Sequence, residues 1–71
     1  MKWLPVDGSI QHGIGAGGRR YSVVEANSQH FVAYELQGAV GEDLGNRSNP
    51  EDARELCEER ERTHEALRRR A

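Results

Sequence analysis

The chain has 71 residues, 35% hydrophobic, 6% aromatic and 31% charged, and its 10 basic and 12 acidic side chains leave a net charge of −2. At this length only about 60% of the unfolded surface is buried on folding, which limits the chain to one small core of marginal stability. The acid excess argues against a general polyanion binder, and the lack of any long apolar run argues against a membrane span. The opening Met1-Lys2-Trp3-Leu4-Pro5 lacks the apolar stretch of a signal peptide, so a cytoplasmic protein is expected.

In chain order, Lys2 to Val6 is expected as a short edge strand, because Pro5 cannot donate to a ladder. Trp3 should pack on the sheet. The stretch from Asp7 to Gly18 is polar and dense in glycine and is expected to be a mobile loop. Tyr21-Ser22-Val23-Val24-Glu25 and Phe31-Val32-Ala33-Tyr34-Glu35-Leu36 have strand composition and flank the turn pair Asn27-Ser28, which predicts a β-hairpin. Gly38 and Gly41 mark a second turn, and Glu42-Asp43-Leu44 is expected as a short third strand ended by Gly45.

The helix signals are denser. Asn49 stands as N-cap before Pro50 at the first helical position, with Ser48 and Glu51 offering a capping box one register earlier. From Glu51 to Arg70 there is neither Gly nor Pro; acids lie near the start and Arg68, Arg69 and Arg70 near the end, which suits the helix dipole. Glu58 with Arg62 and Glu65 with Arg69 have i,i+4 spacing. Ala53, Leu56 and Cys57 form an apolar stripe that Arg60, Thr63 and His64 interrupt before Leu67. The first half of the helix should therefore pack on the sheet and the second half project. The expected architecture is α+β: a three-stranded antiparallel sheet packed against one C-terminal α-helix, in a single domain. Within it, 1–18 forms the edge strand and glycine-rich loop, 19–45 the sheet and 49–70 the helix. Either Val24, Val32, Tyr34 and Leu36 or Tyr21, Val23, Phe31 and Ala33 form the buried set of the sheet; the first set is favoured.

The order of a hairpin, a third strand, Leu44-Gly45, a short polar linker, Glu51-Asp52-Ala53 and an amphipathic helix resembles the AP2 DNA-binding domain and the arm-binding domains of phage-type integrases. It is also similar to small accessory proteins of phages and mobile elements, many of which bind and inhibit a host protein. The AP2 resemblance implies a sheet whose exposed face reads DNA with arginine and tryptophan side chains. The two best strands here carry Ser22, Val23, Val24, Val32, Ala33 and Tyr34 instead, with Glu25 and Glu35 adding negative charge.

Catalytic and metal chemistry find little support. Gly13-Ile14-Gly15-Ala16-Gly17-Gly18 fits the spacing G-x-G-x-x-G, but no helix follows for about 30 residues, so a phosphate cradle is not expected. Cys57, the single cysteine, excludes an internal disulfide; its acidic neighbours disfavour a thiolate, and it is expected in the core. Cys57 and His64 are about 10.5 Å apart along a helix, too far for one metal ion. A non-enzymatic protein-binding module, such as a phage-type inhibitor or adaptor, is expected, with no cofactor and no metal. Its partner would meet Phe31, Tyr34, Glu58, Glu59 and Glu61. The alternative is an AP2-like DNA binder using Arg19, Arg20, Arg47, Arg68, Arg69 and Arg70. A weak homodimer through the interrupted helix stripe is a further expectation.

Overall fold

The protein is described by a computed structural model covering residues 1–70, the side chain of Arg70 excepted. It is α+β, with five antiparallel strands in meander order followed by one helix. The strands are β1 (Lys2–Trp3), β2 (Ile10–Ile14), β3 (Arg20–Asn27), β4 (His30–Gln37) and β5 (Val40–Arg47), and the helix is α1 (Pro50–Arg70). The hairpin and the helix lie where the residues place them. Four expectations change: the sheet has five strands rather than three, the segment read as a mobile loop contains β2, the edge strand is Lys2–Trp3 rather than Lys2 to Val6, and the strand expected at Glu42-Asp43-Leu44 runs from Val40 to Arg47 through Gly41 and Gly45.

That segment is ordered because two of its glycines, Gly13 and Gly15, are close-approach positions and two others, Gly8 and Gly18, take the positive φ of turns. A Cβ built on Gly13 would stand 2.7 Å from the ring of Trp3, so the bare backbone there is what lets β1 lay its indole on β2. Gly15 donates to the Arg19 carbonyl at 2.7 Å and Gly18, at φ +84°, donates back to Gly15 at 3.0 Å, which closes the β2–β3 turn. At the other end, Asp7 and Ile10 exchange backbone hydrogen bonds of 2.8 and 3.1 Å.

Register assigns each side chain to a face. Gly13 stands opposite Tyr21 and Tyr21 opposite Glu35; Val23 faces Ala33, and Glu25 faces Phe31. This face meets the helix: Tyr21, Val23, Ala33, Ala53 and Cys57 are the buried apolar residues, with Trp3, Phe31, Leu44 and Leu56 packed around them. The buried set is therefore the second of the two alternatives, and Val24, Val32, Tyr34 and Leu36 lie on the opposite face. A bulge between Ala33 and Tyr34 leaves Leu44 without a partner in β4 and adds it to the core.

The helix begins as its residues dictate. Asn49 Oδ1 accepts from the Asp52 amide at 2.8 Å, and Asn49 Nδ2 donates to Asp52 Oδ2 at 3.0 Å, so Asn49 is the N-cap and Pro50 the first helical residue. Cys57 is fully buried, and burial followed by the charge of Glu58 pushes its thiol up to about 12, which keeps it protonated. No described helix is long and apolar enough to cross a membrane.

Candidate functional site

The second half of α1 does not project. It rests on the sheet through charge. Glu61, 6% exposed, accepts from Arg19 Nε at 2.9 Å, Arg19 Nη2 at 3.1 Å, the Tyr21 hydroxyl at 2.7 Å and the Ala16 amide at 3.2 Å. The Arg19 guanidinium outweighs the opposing effect of burial, and with Tyr21 and Ala16 it holds the Glu61 carboxyl at about 2. Burial and the adjacent Glu61 push the Tyr21 hydroxyl well above its ordinary range. A second buried carboxylate, Glu35, accepts from Arg60 Nε at 2.8 Å and from Gln37 at 3.3 Å, and lies 3.1 Å from His64 Nε2. Burial alone would raise its pKa; the bonds from His64, Arg60 and Gln37 prevail and keep it below the usual carboxylate range. Arg60 also bridges to Glu42 on β5.

These contacts separate the residues expected to form a partner site. Phe31 and Tyr34 point to opposite faces, Phe31 against the core and Tyr34 away from the helix. Glu58 accepts from Trp3 Nε1 at 2.9 Å and Glu61 is enclosed, so of the three glutamates only Glu59 is fully exposed. The expected helical pairs are replaced: Glu65 reaches across to Arg19 before β3, and Arg62 bonds Glu55, two turns back on the same helix, at 2.8 Å. The arginines of the DNA-binding alternative are dispersed as well. Arg19 is bound in the Glu61 cluster, Arg20 lies on the uncovered face, Arg47 donates to the Asn46 carbonyl at the end of β5, and Arg68 and Arg69 are exposed on the last helical turn. The side chain of Arg70 lies outside the described residues. The stripe proposed for helix pairing is covered by the sheet at Ala53 and Cys57, and Leu67 alone of its apolar members is exposed. Among the described residues no group of three or more His, Cys, Asp or Glu side chains is placed to hold a metal ion.

The candidate site is the face of the sheet that the helix leaves open. Lys2 faces Ile14, Ile14 faces Arg20 and Arg20 faces Leu36; His12, Ser22, Tyr34 and Asp43 form the next row, followed by Ile10, Val24, Val32 and Asn46. Leu4, whose amide donates to the His12 carbonyl at 2.9 Å, joins the middle row. Each row is set by the period-2 alternation of its strands, so the even-numbered apolar residues of β2, β3 and β4 all emerge on this side. An antiparallel sheet with one solvated face ordinarily alternates apolar inward and polar outward. Here both sides are apolar: Leu4, Ile10, Ile14, Val24, Val32, Tyr34 and Leu36 line the open face. Ile10 and Ile14 are exposed at 36% and 37%. A shallow depression among Leu4, His12, Ile14, Arg20 and Leu36 marks one corner. Tyr34 is the one residue of the expected partner set on this surface.

With this geometry in hand, comparison with protein-family models, with curated proteins and with solved structures gives no match.

Proposed function

We infer that the chain is a small non-enzymatic protein-binding module that docks its partner on the open face of the sheet. One observation carries this reading: seven apolar side chains, Leu4, Ile10, Ile14, Val24, Val32, Tyr34 and Leu36, share a face where a solvated sheet would carry mainly polar ones. Tyr34 is its anchor, an aromatic side chain with a polar tip at the middle of the patch. The likeness to the AP2 domain belongs to this proposal at the level of scaffold, a helix bracing one face so that the other can bind. A partner made of protein is favoured over DNA because Lys2 and Arg20 are the only fixed positive charges in the open-face rows and Asp43 offsets one of them. The inhibitor or adaptor role and a cytoplasmic setting are part of the same reading.

Retention on the immobilised full chain tests it, with Val32→Glu as the comparison. Bound protein lost in the variant is the expected result. Retention of nucleic acid in place of protein, or protein retention that Val32→Glu leaves unchanged, overturns it.

A further inference from the structure

We propose that one corner of the open face receives a carboxylate of the partner, carried on an apolar stretch of its chain. This rests on the reading that the open face docks protein, and names the chemistry of the docked segment. Register is the first ground. Lys2, Ile14 and Arg20 stand side by side in one row, with His12 diagonal to both cations in the next. At about 4.8 Å between strands, Lys2 and Arg20 are about 10 Å apart across Ile14, and His12 lies about 7–8 Å from each. Arg19, Arg54, Arg60 and Arg62 each face a carboxylate of the chain. Lys2 and Arg20 face none among the described residues. Two acids of the sheet stand apart from them: Asp43 on β5 accepts from the Gly45 amide at 2.7 Å, and Asp7 pairs with Ile10 at the far end of β2. Strand spacing and rise put both more than about 10 Å from Arg20, a Debye length at about 0.1 M salt. Four arginines are thus answered from within the chain, and this pair on the open face is not.

The apolar walls are the second ground. Among Leu4, His12, Ile14, Arg20 and Leu36 lies a depression of about 350 Å³, and a second one continues past Arg20 to Gly18 and Gly38. Arg20 and Leu36 line both, so the guanidinium stands where the two meet. Such a place suits one or two apolar residues that end in, or flank, a single carboxylate, which an arginine takes with two parallel hydrogen bonds. A phosphate suits it less. It carries up to about two charges and three acceptor oxygens, and beside Leu4, Ile14 and Leu36 part of its hydration would be lost without replacement. Nucleic acid needs more cations than this corner holds.

Amide shifts of the isotopically labelled full chain read the binding of two pairs of short peptides. One pair is acetyl-Ala-Leu-Val with a free terminal carboxylate and the same peptide as its amide; the other is acetyl-Leu-Glu-Leu amide and its Gln counterpart. Saturable shifts at Ile14, Arg20 and Leu36 are expected for a carboxylate peptide at concentrations up to about 10 mM, with its uncharged counterpart weaker by roughly tenfold or more. The pair that shows the larger preference identifies a chain terminus or an acidic side chain as the source of the carboxylate. Arg20→Gln should abolish the preference, and Arg62→Gln on the outer helix should preserve it. Circular dichroism identifies the folded variants, and the comparison on the wild-type chain needs none. No saturable shift with either carboxylate peptide, equal binding of charged and uncharged peptides, or a preference that survives Arg20→Gln overturns the proposal. In the retention experiment, bound protein that is lost in Val32→Glu and kept in Arg20→Gln overturns the carboxylate and leaves the docking face standing. A full chain that retains no protein removes the docking face and this proposal with it.

Discussion

The two ends of the helix meet the same sheet by different physics. From Ala53 to Cys57 the contact is hydrocarbon, with Tyr21, Val23 and Ala33 fully enclosed beneath it. From Arg60 to Glu65 it is charge, with Glu35 at 2% exposure and Glu61 at 6% held by Arg60, His64, Arg19 and the Tyr21 hydroxyl. No buried side-chain nitrogen or oxygen among the described residues lacks a hydrogen-bond partner. A core this small runs out of apolar side chains before the helix runs out of turns. The remaining turns are held down by carboxylates whose desolvation is offset only if every lone pair is met. Tyr21 joins the two halves, its ring in the apolar end and its hydroxyl on Glu61.

Substitutions at the two ends should therefore differ in their response to pH, one depending on it and the other not. The largest effect is expected for Glu61→Ala, about 3 kcal/mol of unfolding free energy at neutral pH, because it leaves Arg19, the Tyr21 hydroxyl and the Ala16 amide without their acceptor. The Glu61 carboxyl sits at about 2 in the folded state, against 4.5 for an unperturbed glutamate. A folded value below the unfolded one means that its contribution is complete above about 4.5 and is lost as the pH falls toward about 2. Denaturant titrations should show wild type and Glu61→Ala converging over that interval. Parallel curves would mean that the pair does not hold this end. Leu56→Ala, in the apolar half, is expected to cost about 2 kcal/mol by the same titration, with the same cost at pH 3 and pH 7. Strong pH dependence there would erase the distinction. The smallest effect belongs to Glu55→Ala, whose bond to Arg62 is solvent-exposed on both sides; a change under about 0.5 kcal/mol is expected, vanishing at high salt.

The helix was legible almost to the residue, because a cap is a local device: Asn49 and Pro50 announce it without help from the rest of the chain. The β3–β4 hairpin was legible for the same reason. β2 was not. Glycine density signals a loop when glycine is there for flexibility, whereas Gly13 and Gly15 are there to let Trp3 and Glu61 approach, and those partners lie 10 and 46 residues away. Alternation along β3 and β4 offers two apolar faces, and the set favoured from it, Val24 with Val32, Tyr34 and Leu36, is the one the helix leaves open. The choice falls to the face that offers Tyr21 and Glu35 to the helix's charged turns, since Arg60, His64 and Glu61 need polar partners that Val24 and Val32 cannot supply. A Tyr directly opposite a Glu in the hairpin was the one available signal. The partner roles expected of Glu58 and Glu61 failed to anticipate Trp3 and Arg19 because pairing across so much sequence leaves no local trace.

The turn that closes β2 onto β3 takes its last constraint from the far end of the chain. A Cβ on Gly15 would stand 2.5 Å from the carboxylate of Glu61, and the next amide donates to that same group. The tip of an early hairpin is thus completed by the fourth turn of the final helix. In folding, this long-range closure must come late, since its loop entropy is recovered only when the helix has docked. A chain truncated before residue 61 would keep every strand and still leave the second hairpin unfinished.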